Sequence, residues 1–231
     1  MRNIVVTGAS KGLGFYISKK HLEMGDRVFA YIIEQSDELN ALMEIYNQTL
    51  QVYHVDIGNT ASVMAGAEQV LAQVQRIDIL YNNAGVYSFD DKVPLEETDP
   101  DRFQWYYNIN AVGPVRVLKS FQTALGKGSV VINMSSEAGS IAQCRRFREY
   151  GYCMSKAALN MAIRIFSIAT KEIGVRSMAI HPGWMRTTMG GANADCPPEE
   201  SAERIIGIAL DIDNIPEENQ YMDRDRVLYK W

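Results

Sequence analysis

The sequence predicts an α/β protein, a doubly wound parallel sheet held between two layers of helices (three-layer αβα). Three observations carry that expectation. The apolar, β-branched run Asn3-Ile4-Val5-Val6-Thr7 passes directly into Gly8-Ala9-Ser10-Lys11-Gly12-Leu13-Gly14, which reads as a buried strand turning tightly onto a helix N-terminus. Strand-like and helix-length segments then alternate along the chain, the pattern of βαβ units. The 231 residues, 47% of them hydrophobic, supply a full-sized core for one domain over 1–231.

After the first strand, Leu13–Met24 has helix length and the β-rich run Arg27–Ile33 follows it. Ser36–Asn47 reads as the second helix, Leu50–Ile57 as the third strand, and Thr60–Gln75 as the third helix. The fourth strand is expected at Ile77–Asn82, followed by one long helix across Asp99–Leu125. Gly128–Ser135 and Val175–His181 complete the strands, with a helix at Tyr152–Ile173 between them. Right-handed crossovers then put the ligand crevice at the carboxyl ends of the strands. Gly190–Glu200, with Gly190-Gly191 and Pro197-Pro198, reads as irregular, either a lid over that crevice or an ordinary connection.

With 23 basic and 28 acidic residues, the net charge of −5 offers no general attraction to nucleic acid. No apolar run approaches the length that spans a bilayer, and the glycine motif starts so near residue 1 that no signal peptide is expected. A cytoplasmic protein without membrane partners is the expectation. Cys144, Cys153 and Cys196 lack C-x-x-C spacing, which predicts free thiols rather than disulfides or a metal site.

The glycine corner is where chemistry first enters. Gly8 lets the chain turn, the small residues 9 and 10 let backbone approach a pyrophosphate, and Gly12 and Gly14 open a helix whose free N–H groups face the anion. Further along, Tyr152 and Lys156 stand four residues apart, hence on one helix face, where a cation favours the phenolate. Tyr16 and Lys20 match the same spacing, with a surface or core-edge role as the better reading. What distinguishes the Tyr152 pair is the strand Val130–Ser135 upstream, which ends in two hydroxyls, Ser135 and Ser136, at the ligand-binding edge. A hydroxyl there can hold a substrate carbonyl, or cap a turn.

With these residues in place the chain resembles the short-chain dehydrogenase/reductase family of single-domain Rossmann proteins. The resemblance runs in order through Thr7–Gly14, Asp56, Asn82-Asn83-Ala84-Gly85, Asn110, Ser136, Tyr152 with Lys156, and Pro182-Gly183 to Thr187. The runs Tyr152–Asn160 and His181–Gly191, with the tail ending in Trp231, are similar to the carbonyl-reductase-like branch that includes C-factor and sniffer.

The resemblance implies an NAD(P)-dependent oxidoreductase acting on a small carbonyl or alcohol. Tyr152 would exchange a proton with the carbonyl oxygen, Ser136 would hydrogen-bond that oxygen, and Lys156 would bind the nicotinamide ribose and lower the Tyr152 pKa. Asn110 would hold a water in a relay reaching Lys156. For the cofactor, Gly8, Ser10, Lys11, Gly12, Leu13 and Gly14 would take the pyrophosphate, while Asp56 and Ile57 would take the adenine. Asn83, Ala84 and Gly85 would line the ribose, and Pro182, Gly183, Met185 and Thr187 would clamp the carboxamide. A helix cap is the plain alternative for Asp56, and His181 reads as structural.

The usual specificity position at the end of the second strand holds Ile32 and Ile33, so Lys11 favours NADP, with NAD through Glu34 as the alternative. Fifteen residues separate Ser136 from Tyr152, a longer loop than the family usually has, carrying Arg145, Arg146 and Arg148. These arginines would favour an anionic substrate or form a solvated face. The helix Tyr152–Ile173 has more apolar positions than one core stripe needs, which with the resemblance predicts a homodimer or homotetramer. A dinucleotide-binding regulator with little turnover is the competing reading, and a methyltransferase would leave Asn110, Ser136, Tyr152 and Lys156 unexplained.

Overall fold

Successive strand residues alternate between two faces, and here both faces are apolar, which is what a sheet buried on both sides requires. In the computed structural model, which describes residues 1–218 and 220–231, Val5, Leu80 and Val131 point to one core and Ile4, Val6 and Ile132 to the other. The strands are β1 (Asn3–Thr7), β2 (Arg27–Ile32), β3 (Leu50–His54), β4 (Ile79–Asn82), β5 (Val130–Met134), β6 (Arg176–His181) and β7 (Tyr221–Asp223). They pair in the order β3-β2-β1-β4-β5-β6-β7, every pair parallel.

Helices α1 (Gly12–Glu23), α2 (Asp37–Ile45) and α7 (Pro198–Leu210) cover one face, where Ile17, Leu22, Leu39 and Ile205 meet Ile4 and Ile132. Helices α3 (Thr60–Leu71), α5 (Gly113–Phe121) and α6 (Tyr150–Ala169) cover the other, with Val63, Val70, Val117 and Phe121 packed on Val5 and Leu80. The short α4 (Phe103–Tyr106) precedes α5. Strand order reverses between β1 and β4, and the N-terminus of α1 opens into that switch point. Lys20 bonds Glu203 at 2.8 Å and ties α1 to α7, so the Tyr16 and Lys20 spacing serves packing.

Three expectations need correction. The single helix over Asp99–Leu125 is instead a series: a 3-10 turn at Pro100–Arg102, α4, a π-helical segment Tyr107–Val112, α5, and a 3-10 turn at Gln122–Ala124. Pro114 explains the break, because it has no N–H for the carbonyl of Asn110 four residues earlier and its ring crowds that turn. Within Gly190–Glu200, α7 already begins at Pro198, a proline suited to the first helical turn. The strands also end early, β3 at His54 rather than Ile57 and β5 at Met134 rather than Ser135. Among the described residues no helix is long and apolar enough to cross a membrane.

Candidate active site

The glycine corner forms at the carboxyl end of β1. Gly8 has φ +68°, a left-handed conformation, and a β-carbon on Gly14 would fall 2.3 Å from the Gly8 carbonyl oxygen. Only a bare backbone allows helix and turn to approach this closely. Lys11, the residue before α1, gives no side-chain cap, so the first N–H groups of α1 are open to an anion. The cradle therefore fits a dinucleotide pyrophosphate on its own geometry. Leu13 turns its side chain into the core and leaves main chain at the corner, while the Ser10 carbonyl accepts from Ser36 Oγ at 2.6 Å.

The loop after β4 closes one side of this corner. Asn83 Nδ2 donates to Thr7 O at 2.8 Å and Gly8 O at 3.1 Å, and a β-carbon on Gly8 would lie 2.9 Å from Ala84 Cα. Thr187 closes another side, its Cγ2 3.3 Å from where a β-carbon of Gly12 would be. Met185 bridges to Cys196, Ser201 Oγ donates to the Pro182 carbonyl at 2.6 Å, and Gly183 (φ +84°) lies against Arg224. Asp56 is exposed beyond β3, with Oδ1 taken by the Gly58 N–H at 2.8 Å; Asn59 caps α3, so Asp56 is not its cap. The Ile57 carbonyl accepts from Arg116 at 3.1 Å.

The reacting groups gather where β5 ends. Ser135 Oγ donates to Asn160 Oδ1 at 2.6 Å, and Asn160 Nδ2 donates to the Gly139 carbonyl at 3.1 Å. A β-carbon on Gly139 would sit 2.9 Å from Lys156 main chain, so this glycine lets the turn lie on α6. That contact brings Ser136 to Tyr152. Of the two hydroxyls, Ser135 is fastened to α6, whereas Ser136 Oγ caps the turn Glu137–Gly139, accepting from the Ala138 N–H at 3.1 Å and donating to Glu137 Oε2.

Burial pushes the Tyr152 pKa up to about 12, against the lowering effect of the nearby Ser136 hydroxyl. Lys156 Nζ lies 5.8 Å from the Tyr152 ring centroid and donates to the Met134 carbonyl at 2.7 Å. Its own pKa is lowered to about 8 by burial. The phenol therefore stands above its ordinary value, the opposite of the direction expected from Lys156, because desolvation dominates.

Asn110 lies in the π-helical segment, its Nδ2 on Val86 O and Ser155 Oγ and its Oδ1 on Val86 N. Both Nδ2 hydrogens are used and Oδ1 accepts from Val86, and the main-chain carbonyl of Asn110 has no N–H of Pro114 to serve it. A β-carbon on Gly85 would be 3.1 Å from Asn110 Oδ1 and 3.8 Å from Lys156 Nζ, so Gly85, Asn110 and Lys156 share one wall. Tyr87 and Tyr106 pack edge-on against Tyr152, centroids 5.1 and 6.4 Å away. His181 is packed on Tyr229, and burial holds its pKa below the usual imidazole value.

For one of the three arginines of the basic loop, neither the anionic-substrate role nor a solvated face holds, while Arg145 and Arg148 are exposed. Arg146 pairs with both Glu137 and Glu149, so its charge is engaged within the protein rather than offered to a substrate. Tyr87, Glu137 and Glu149 were given no role on sequence grounds. For Glu137 and Glu149 the one signal was the extra length of the loop, and Tyr87, after β4, had none.

Residues 2–196 match the family model described as short chain dehydrogenase, and the chain belongs to that family, whose members are NAD(P)-dependent oxidoreductases. C-signal of Myxococcus xanthus is 36% identical over 134 residues, 57% of this chain and 80% of that protein. The NADPH-bound carbonyl reductase from chicken fatty liver superposes with TM-score 0.88 at 25% identity, covering 100% of this chain and 99% of that one. Carbonyl reductase Sniffer of D. melanogaster shares the fold, with TM-score 0.90 and 23% identity over 100% of both chains.

Proposed function

We propose that this chain reduces a small ketone or aldehyde with NADPH, or oxidises the corresponding alcohol, at a centre made by Ser136, Tyr152 and Lys156. One observation carries the reading: Tyr152 lies near Ser136 at the carboxyl edge of β5, one helical turn from a buried lysine. A regulator that only binds dinucleotide has no need of that set. Cofactor and substrate would share one domain, residues 1–231.

The corner residues Gly8, Ser10, Lys11, Gly12, Leu13 and Gly14 would hold the pyrophosphate. Asp56 and Ile57 would hold adenine, Asn83-Ala84-Gly85 the ribose, and Pro182, Gly183, Met185 and Thr187 the carboxamide. When bound, NADP supplies or accepts the hydride. Tyr152 gives its phenolic proton to the carbonyl oxygen in reduction and takes it back in oxidation. Ser136 orients that oxygen and stabilises the charge developing on it. Lys156 keeps one N–H on Met134 and has its others for the ribose hydroxyls, while the Asn110 carbonyl holds the water that links Lys156 to solvent. The aromatic wall of Tyr87 and Tyr106 excludes water from Tyr152.

The same reading makes the protein a cytoplasmic enzyme, with the free thiol Cys144 at its surface, and a homodimer or homotetramer through the outer face of α6. The test is titration with NADPH and NADH followed by cofactor fluorescence, then a panel of ketones, aldehydes and alcohols with wild type and Tyr152→Phe. The variant should bind NADPH as wild type does and lose about 100-fold or more in turnover. Near-normal turnover by Tyr152→Phe would overturn the assignment, and Tyr16→Phe should be neutral.

A further inference from the structure

A cluster of charged side chains lies directly against Ser136 and Tyr152 and has no part in the scheme above. Ser136 Oγ donates to Glu137 Oε2 at 2.6 Å. The other oxygen of Glu137 accepts from Arg146 Nε at 3.0 Å and from Arg146 Nη2. Arg146 Nη1 donates to Glu149 Oε2 at 2.7 Å, and Glu149 Oε1 accepts from the Tyr87 hydroxyl. The guanidinium thus reaches the centre twice, through Glu137 to Ser136 and through Glu149 to the Tyr87 ring that packs on Tyr152.

A solvated basic loop needs none of this. Glu149 is buried (5% exposed) and left-handed at φ 63°, a conformation that a non-glycine residue adopts at a cost. Removing a carboxylate from water costs more, unless a cation and hydrogen bonds satisfy it. Arg146 does both, for Glu149 and Glu137 together.

We propose that the Arg146 and Glu137 pair is a positioning device for the carbonyl reaction: Arg146 fixes the Glu137 carboxylate, and that carboxylate fixes the Ser136 hydroxyl beside Tyr152. The inference rests on the oxidoreductase reading. It makes the long loop between Ser136 and Tyr152 part of the working site, acting through Ser136 without touching substrate. A carbonyl oxygen arriving at Ser136 competes with Glu137 for the hydroxyl proton, so the grip of Arg146 on Glu137 sets how readily Ser136 turns to substrate.

The charges around Tyr152 give the device a signature. Glu137 disfavours the phenolate and Arg146 favours it. Lys156 and Cys153 face the phenol from α6 itself. From the packed segments, the Tyr87 and Tyr106 hydroxyls are directed away, to Glu149 and Asp91. From β6, His181 Nδ1 lies 3.5 Å from Glu137 Oε2 and is held towards neutrality by burial. Among the described residues, Glu137 and Arg146 act on the phenol with opposite sign and touch one another.

The test follows Tyr152 directly. In protein labelled with carbon-13 at tyrosine Cζ, the Tyr152 resonance is identified by its loss in Tyr152→Phe. It is then titrated in wild type, Glu137→Gln, Arg146→Met and Arg146→Lys. The pH profile for oxidation of 1-phenylethanol, benzyl alcohol and cyclohexanol with NADP is measured alongside. Glu137→Gln should lower the Tyr152 midpoint and the alkaline limb of the profile by about half a unit or more, Arg146→Met should raise both, and Arg146→Lys should fall between Arg146→Met and wild type. Loss of packing would move both variants the same way. Midpoints that stay together, or shift in one direction, overturn the proposal, and Glu137→Gln decides alone if Arg146→Met does not fold. Wild type that turns over no alcohol overturns the functional reading instead, so the two failures are seen separately.

Discussion

Lys156 Nζ donates to the main-chain carbonyl of Met134 at 2.7 Å, fastening α6 to the last residue of β5. The same bond sets the height of Tyr152, one turn earlier on the helix, relative to Ser136, two residues beyond the strand. Positioning and chemistry therefore meet in one buried ammonium, which carries an electrostatic cost.

That cost makes stability depend on pH. Burial lowers the Lys156 pKa from 10.5 to about 8, so between these values the unfolded chain holds a proton that the folded chain has lost. The penalty is fully felt below about 8 and relieved as pH rises towards 10.5. Wild type should accordingly gain stability relative to Lys156→Met between about pH 7 and about pH 10, by about 2 kcal/mol, read as urea midpoints at the two values. A difference that stays constant with pH would show that Lys156 keeps the same affinity for its proton in the folded and unfolded chains, as a solvated lysine does.

A second prediction concerns the cofactor. Lys11 is exposed at the mouth of the glycine corner, and Ile33, just beyond β2, offers no charge. If Lys11 meets a 2′-phosphate, Lys11→Ala should weaken NADPH about tenfold and leave NADH almost unchanged, since the two differ there by one charged group. Cofactor fluorescence titrations check this. Equal losses would move the preference to NAD through Glu34.

Much of this site was legible because its parts sit where strands end, and strand ends follow from hydropathy. The glycine corner and the Tyr152 and Lys156 pair could be read from residue type and spacing, whereas the choice of Ser136 over Ser135 came from the family resemblance. The broken helix was harder, because the apolar period continues through Pro114 and only the missing N–H interrupts it. Strand β7 has three residues, too few to show a period, and is defined by its pairing with β6. The Arg146 network was hidden for a different reason: sequence gives the charges of Glu137, Arg146 and Glu149, but which of them meet depends on a left-handed turn at Glu149.

A third prediction separates two glycines by what surrounds them. Gly14→Ala places a carbon 2.3 Å from the Gly8 carbonyl and 2.5 Å from Asn83 Nδ2, so the corner must open. That should cost about 2 kcal/mol or more and weaken NADPH binding as well. Gly207, inside α7, has nothing within 4 Å of its missing β-carbon, so Gly207→Ala should stabilise by about 0.5–1 kcal/mol. Urea midpoints for both variants would give opposite signs, and a neutral Gly14→Ala would count against the close-packed cradle.

The last prediction is assembly. Leu159 and Ile163 turn α6 towards its own sheet, yet Met161, Ile165 and Ile168 on the same helix are 62%, 59% and 62% exposed. These three lie at helical spacing on one outward stripe, so the helix is not buried all round within its own chain. Trp105, Tyr107 and Val115, around α4 and α5, are exposed as well. Ala157, Ala158 and Ala162 are small enough for a second helix to approach, and a two-fold pairing would bury the same stripe on both chains. Light scattering at micromolar concentration should therefore give two or four times the 26.0 kDa chain mass. Ile165→Glu should shift that mass towards one chain, whereas Met64→Glu, at an exposed position of α3, should leave it unchanged. Because α6 also carries Tyr152 and Lys156, dissociation by Ile165→Glu should lower turnover with it. A wild-type mass of one chain would sink the idea.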